Sequence, residues 1–362
     1  MFKVLKRLFF PVIPVLFSAC TLDVNTCKHV PNLEERLSDV FYMAALAPSA
    51  HNTQMYSVSI NQDLKMVTVR LDNQRLLKVT DPLKRESLIS LGAYVRALET
   101  AFLAYGYKTN TKIKQDHITL TYSLDLNNEN TSPDRKILSL MEKRHTDKRS
   151  FKLDMIKPSV LDKLSLSYKN TEYLAHNTSN FTFFKDTFIK AFTKQAFDKA
   201  TAKELSSWMR FSDKEALLHK DGLPAEQLGI SGMKKFFYYT FFDKDSVLKD
   251  SFASKSIEIA KTQAENCAGY LVLKSETDSF DDLIKTGRTL YDLMLYLTEN
   301  DIAIQPLSAA LETPLLRSLL EDKLHTNDKL QMILRIGYVD DYGKNYRIRR
   351  DLKDYLQVES SQ

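Results

Sequence analysis

Glycine is scarce in this chain, 9 of 362 residues, well under the roughly 7% that is usual. Neither G-x-G-x-x-G nor G-x-x-x-x-G-K-[ST] occurs, which excludes the two glycine-rich cradles that hold phosphates on backbone amides. A phosphate bound here must be held by side chains. Cysteine is just as sparse, three residues with no C-x-x-C, and there is no H-E-x-x-H and no G-x-S-x-G. The seven histidines, at 29, 51, 117, 145, 176, 219 and 325, never pair at metal-ligand spacing. A zinc site or a hydrolase triad therefore has no local support. The net charge of +5 is spread over 51 cations and 46 anions without a long basic stripe, so nucleic acid is not an expected partner.

What is present is an ordinary globular composition, 43% hydrophobic and 27% charged, in 362 residues. That length supports a large core and two structural units. Near the middle stands Arg144-His145-Thr146-Asp147-Lys148-Arg149-Ser150-Phe151. Arg forks, a Lys point charge and uncharged hydroxyls are a donor set suited to a dianionic phosphate. Most basic clusters are solvated loops or helix ends; this one stands out because other stretches complete it.

Residues 1–20 read MFKVLKRLFFPVIPVLFSAC. Lys3, Lys6 and Arg7 precede an apolar run from Leu8 to Phe17 that is too short to span a bilayer. Ser18 and Ala19 then precede Cys20, as in a bacterial lipoprotein signal in which Cys20 is lipidated; Phe17 stands where that signal usually has Leu. An uncleaved anchor or a differently cut signal is the competing reading. Thr21 favours outer-membrane sorting. Cys27 and Cys267 remain as a candidate pair, which two cysteines alone do not establish.

Apolar positions at Leu33, Leu37, Val40, Phe41, Ala44 and Ala45 predict a helix over 32–47, with Asn32 as N-cap and Pro48 as its end. Ser49, Asn52, Thr53 and Gln54 then crowd a turn. Such a stretch is usually only a loop, but it can address a polar ligand edge without adding charge. Strands are predicted at 58–60, 66–71 and 117–124, and a long buried helix from Arg85 to Tyr105, closed by Gly106. The polar stretch 125–134 reads as a linker. Residues 159–260 are helix-rich but hard to divide, and the aromatic run 236–242 reads as a core helix ahead of a pocket lid. Further on come a strand at 268–274, a helix over 283–297, a strand at 302–307, a helix begun by Thr313-Pro314, and an apolar central strand at 330–338. The basic run Arg347-Ile348-Arg349-Arg350 closes the chain, as a solvated tail unless it meets the central cluster.

These stretches together resemble the nitroreductase-like FMN-binding superfamily, and within it the Acg-type, twin-domain branch. Arg144-x-Thr146-x-Lys148 looks like the R-x-S-x-[KR] that grips the FMN phosphate. Ala47-Pro48-Ser49-x-x-Asn52-x-Gln54-Met55-Tyr56 looks like A-P-S-x-x-N-x-Q-P-W, with Met-Tyr for Pro-Trp. Gln305-Pro306-Leu307-Ser308-Ala309 is similar to the loop whose amides face flavin N5, and Leu334-Arg335-Ile336-Gly337-Tyr338, followed by Arg347 and Arg349, to the closing strand. The likeness runs over about residues 33–352.

The resemblance implies an α+β fold of two tandem half-units, antiparallel or mixed sheets flanked by helices, in one chain that imitates the family's dimer: a signal at 1–20, a first half over 21–130 and a second over 131–362. It implies FMN held by Arg144, Thr146, Lys148, Arg347 and Arg349 at the phosphate, with Ser49, Asn52 and Gln54 at the ribityl or ring edge. Pro306, Leu307, Ser308 and Ala309 would lie at N5, where the flavin carries the chemistry and no acid–base dyad is needed. Each motif has one copy, so one FMN per chain is expected. The implied activity is reduction of a nitroaromatic, quinone or similar small aromatic acceptor with NAD(P)H or a membrane electron donor; the alternative is FMN binding and sequestration with little turnover. Expected with these are a monomer and a lipid-anchored, periplasm-facing place in a bacterial envelope, or else the cytoplasm.

Overall fold

The computed structural model describes residues 26–124 and 132–359. The expected signal, Cys20 and most of the expected linker lie outside the described residues. In chain order the elements are α1 (Glu35–Ala45), β1 (Tyr56–Asn61), β2 (Met66–Leu71), α2 (Arg85–Ala104), β3 (Tyr107–Ile113) and β4 (Ile118–Leu124). Then come α3 (Arg135–Lys143), α4 (Pro158–Ser167), β5 (Thr171–Ala175), α5 (Ser179–Phe197), α6 (Lys199–Trp208), α7 (Asp213–His219), α8 (Gly232–Phe241) and α9 (Asp250–Glu265). Last are β6 (Gly269–Ser275), α10 (Phe280–Glu299), β7 (Ala303–Pro306), α11 (Pro314–Lys323), β8 (Lys329–Gly337) and β9 (Leu356–Val358). The fold is α+β, built on two sheets.

The two sheets repeat one plan. The first has the order β3-β4-β2-β1-β9 and the second β5-β6-β8-β7. Read outward from their helices, the plans coincide: two strands, a 20-residue helix, two strands, with every pair from β1 to β4 and from β5 to β8 antiparallel. The addition is β9, which returns from the end of the chain to pair in parallel with β1, Val58 against Leu356. The connection between α1 and β1 runs over 46–55, whereas α4 reaches β5 over 168–170 alone. Only the first half thus carries a long loop at that point.

The helices α2 and α10 cross at their eighth residues. Both carry Leu-Ile-x-x-Gly there, Leu88 to Gly92 and Leu283 to Gly287. A Cβ on Gly92 would strike the carbonyl of Ile284, and one on Gly287 the carbonyl of Ile89. The contact is reciprocal, as across a two-fold axis. Nothing bulkier than glycine lets the backbones approach this closely.

Burial explains which elements were legible. β6 and β8 are buried along almost their whole length, because α10 covers one face of the second sheet and α5, α9 and α11 the other. Such strands read as continuous apolar runs. β3 is exposed at every second residue, and its sequence YKTNTKI carries too little apolar signal to announce a strand. Several local expectations are corrected. Asn32 is not the N-cap of α1: it has φ +63°, and the cap falls at Glu34. Thr313 caps α11 without a side-chain hydrogen bond. Cys27 and Cys267 are both free, one exposed and one buried. α8 is not a core helix: it turns Met233, Phe237 and Phe241 outward and buries only Tyr238.

Candidate functional site

The 46–55 loop is held by the rest of the chain rather than by itself. Its backbone is unusual, with His51, Asn52 and Gln54 all at positive φ, a conformation side chains adopt only where surroundings impose it. The Asn52 amide donates to the carbonyls of Gly222 at 3.2 Å and Ile348 at 3.3 Å. The Gln54 amide donates to the Lys220 carbonyl at 2.9 Å and accepts from the Arg350 backbone N–H at 2.9 Å. Ser49 Oγ accepts from the Gln54 N–H at 3.2 Å. Ala50 N–H donates to Ser90 Oγ on α2 at 3.2 Å. The three polar residues of the motif therefore order this loop against the 220–222 turn and the tail.

The tail is not solvated: Ile348, Arg349 and Arg350 are buried. Arg349 donates from Nε to the Ala45 carbonyl, and from Nη2 to those of Leu46 at 3.2 Å and Ala47 at 3.4 Å. Arg144 Nη2 donates to the same Leu46 carbonyl at 2.8 Å. Two guanidinium groups thus cap the negative end of α1, where orphan carbonyls and the helix dipole favour cations. Burial draws both pKa values down, that of Arg349 to about 10, and Arg144 adds to the effect on Arg349. No carboxylate stands among the groups that perturb either one. Arg144 Nε is buried without a partner, and its Nη1 meets only the Met294 sulfur at 3.9 Å.

Lys148 belongs to the same basic region. Desolvation alone draws its amine down to about 8. Its charge acts on His51, whose ring is held neutral with a pKa near 4, first by burial and then by Lys148, against an opposing pull from Glu204. His51 Nδ1 has no partner. Arg144 and Arg349 thus form a buried cationic pair at the start of the 46–55 loop, Lys148 acts on His51 of the same loop, and among the described residues no acid pairs with any of the three. Burying unpaired charge is costly, and an anionic ligand relieves that cost.

The 305–309 loop joins through Arg335. This fully buried guanidinium donates to Gln305 Oε1 at 2.6 Å, to the Arg149 carbonyl at 2.6 Å and to the Gln263 and Asn266 carbonyls at 3.1 Å. It also stacks over Phe151 at 3.8 Å. Gln263 bridges the Lys148 carbonyl and Gln305, and Asp147 N–H donates to the Ile304 carbonyl at 2.9 Å. The segment 144–151 is thereby laid beside β7. Leu307 N–H is taken by the Ile333 carbonyl at 2.8 Å, while among the described residues the N–H groups of Ser308 and Ala309 donate to no other backbone group. Ser308 Oγ donates to Glu312 at 3.2 Å, and Gln195 donates to that same carboxyl at 2.6 Å. Burial, then the neighbouring Glu86, pushes Glu312 up to about 8.

Not every expected residue converges. Arg347 sits half-exposed on Glu142 at 3.3 Å, and Thr146 is exposed. Sequence reasoning passed over His51, Gln263, Arg335, Glu312 and Arg350. Arg335 and His51 stood inside quoted motifs, but the partners that give them their roles lie far away in the sequence. Tyr56 stacks on Tyr94 at 3.9 Å.

A cover lies over this region. Gly222 N–H donates to the Asn52 carbonyl at 3.2 Å, and a side chain on Gly229 would meet Lys148 Cβ at 3.5 Å. Beside the turn is an open pocket of about 330 Å³ lined by Leu76, Lys78, Glu204, Trp208, Arg210 and Asp221. There Trp208 has Arg75 and Arg210 over its ring at 5.5 and 6.0 Å.

No protein-family model matches the sequence. The chain is 23% identical over 330 residues to the "Probable NAD(P)H nitroreductase PigM" of Serratia sp. (strain ATCC 39006), covering 84% of this chain and 88% of that one. Among solved structures it is similar to the FMN-dependent nitroreductase NfnB of Mycobacterium smegmatis in complex with NADPH, with a TM-score of 0.37, 16% identity, and coverage of 59% of this chain and 94% of that one. It is also similar to the FMN- and NADPH-dependent NfnB of Sphigopyxis sp. strain HMH, with a TM-score of 0.37, 13% identity, and coverage of 62% and 98%.

Proposed function

We propose that this chain is an FMN-dependent oxidoreductase of nitroreductase type, with one flavin site assembled from its two halves. The observation that carries the reading is that Arg144 and Arg349, at the start of the 46–55 loop, and Lys148, acting on His51 of the same loop, have no carboxylate paired to them among the described residues. Their donors suit a phosphate dianion: the Lys148 amine and the unpartnered Nε of Arg144 have capacity left, while Arg349 is spent on α1 and sets the local potential. Ser49, Asn52 and Gln54 hold the loop, and their remaining lone pairs and N–H groups can meet a ribityl chain or ring edge. The Ser308 and Ala309 amides are donors for a ring nitrogen. FMN, when bound, supplies hydride acceptance and donation at N5; the chain supplies position, counter-charge and exclusion of water.

Three things support the halves as an internal dimer, with the boundary near residue 131. They are the repeated sheet plan, the reciprocal crossing of α2 and α10, and β9 returning to the first sheet. The long site loop occurs once, after α1, which favours one flavin per chain. NAD(P)H as reductant rests on the relative described as a probable NAD(P)H nitroreductase. A flat aromatic acceptor would find a stacking surface at Trp208. The lipoprotein-like residues 1–20 support an envelope location, where a membrane electron donor would replace NAD(P)H.

A second reading, FMN storage, is favoured by the 220–229 cover on Asn52 and Lys148. Anaerobic addition of NADPH to the flavin-loaded chain separates the two. Bleaching of the flavin band, restored by a quinone or nitroaromatic, supports the reductase; an unchanged band with NADPH and with a chemical reductant's electrons retained after acceptor addition supports storage.

A further inference from the structure

The helix α8 is built inside out. Met233, Phe237 and Phe241 are 67%, 51% and 68% exposed. They fall at spacings of four, so they share one helical face. Phe237 and Phe241 stack at 6.1 Å and 14°, which presents a flat aromatic plate to solvent. Leu218, at the end of α7, is 75% exposed, and Lys235 of α8 pairs with Asp213 of α7 at 2.6 Å, joining the two helices. The opposite side of α8 is spent on the body: Tyr238 packs with Met209, Ala225 and Val247, and Tyr239 OH accepts from the Ala225 N–H at 3.3 Å. A contiguous exposed apolar face of this kind marks an interaction surface.

The chain's own beginning indicates what covers it. Cys27 N–H donates to Asp351 Oδ1 at 2.6 Å, and the same carboxylate pairs with Lys220 at 2.6 Å, the residue directly after α7. The first described residues therefore lie beside the end of α7, which Lys235–Asp213 joins to α8. Thr26 is six residue steps from Cys20, at most about 20 Å at full extension. An acyl group on Cys20, or the apolar run before it, would hold α7 and α8 at that distance from a bilayer. Exposed Lys214 lies on α7 and exposed Lys234 on α8, where ammonium groups suit anionic headgroups, and aromatic side chains suit the headgroup layer.

We infer that the outer face of α8, with the end of α7, rests in the headgroup layer of the membrane to which the N-terminus leads, and orients the molecule there. The inference rests on the envelope reading of residues 1–20 and is independent of the flavin. Placing α8 against lipid also turns the cover that spans 220–229 toward the membrane.

The test uses the full chain carrying Phe237→Trp, mixed with phosphatidylethanolamine–phosphatidylglycerol vesicles with and without brominated acyl chains, and compared with the wild-type chain. The inference expects the emission added by the new tryptophan to be lost in brominated vesicles, and Phe237→Ser with Phe241→Ser to reduce vesicle binding while circular dichroism is unchanged. Mass spectrometry of Cys20 reports acylation separately. A chain bound through an acylated Cys20 whose new tryptophan keeps its emission would overturn the docking and leave the anchor standing. Loss of emission without acylation would sustain the docking and remove the anchor. Shielding of the tryptophan by concentration-dependent self-association without lipid would give the face to a second copy and overturn the inference.

Discussion

Single side chains decide whether the central cation group is a ligand site or a structural one, and they do not all answer alike. Arg144 does both jobs. Removing it breaks the bond to Leu46 at the end of α1, so Arg144→Ala is expected to cost roughly 1.5–3 kcal/mol of stability as well as flavin, and the melting temperature would show it. Lys148 is the cleaner probe, since its side chain caps nothing. Lys148→Met should leave the melting temperature of the flavin-free chain within a degree or two and weaken FMN roughly tenfold to a hundredfold, read by fluorescence titration. An unchanged FMN affinity would remove Lys148 from the phosphate site.

The two shifted titrations give opposite pH slopes. His51 is held neutral with a pKa near 4 against an ordinary 6.5; the unfolded chain takes up the proton first, so stability rises with pH between those values and His51→Gln flattens that rise. Glu312 is held protonated, its pKa raised from 4.5 to about 8. Its contribution is full below 4.5 and is lost as pH climbs through 8, so Glu312→Gln should melt higher than wild type above pH 8 and alike at pH 4. Lys148, at about 8, predicts that FMN affinity falls by about tenfold per pH unit above that value. The residue types at 144–148 were legible in the sequence because charge is legible. Which carbonyls Arg144 and Arg349 would meet was not, since those partners lie about a hundred and three hundred residues away and are set only by the packing of α1.

At the level of elements, long apolar periodicity carried the reading and short polar elements escaped it. α2, α10 and β8 were readable because each is covered on most sides. β3 was not, because one face is in water and its residues are Lys, Thr and Asn. α8 misled for the opposite reason: its apolar face points outward, and a pattern of hydrophobic residues does not state which way it faces. The shared Leu-Ile-x-x-Gly of α2 and α10 was present in the sequence, but five residues are too few to announce a repeat until the strand orders agree. Gly287→Ala should cost about 3 kcal/mol by forcing α2 and α10 apart, with Gly92→Ala similar and the double variant far from additive because both act on one crossing. Thermal denaturation checks it; a loss under about 1 kcal/mol would mean that the crossing yields easily.

The whole molecule has two copies of one sheet plan and one copy of the site loop. Arg144, Lys148, Arg349 and Arg350 close on the 46–55 loop, and β9 ties the last described residues to β1. Truncation after Asp351 should therefore release both Leu352 and Tyr355 from the core and the parallel strand from β1, giving an aggregating chain. Because the sheet plan occurs twice and the 46–55 loop once, one flavin site per chain is expected. That count is tested most directly by titrating the purified full chain with FMN and counting flavins per chain from absorbance after removal of the unbound fraction. One is expected, bound roughly tenfold to a hundredfold more weakly in Lys148→Met. Two flavins per chain, or none taken up by a folded protein, would contradict it.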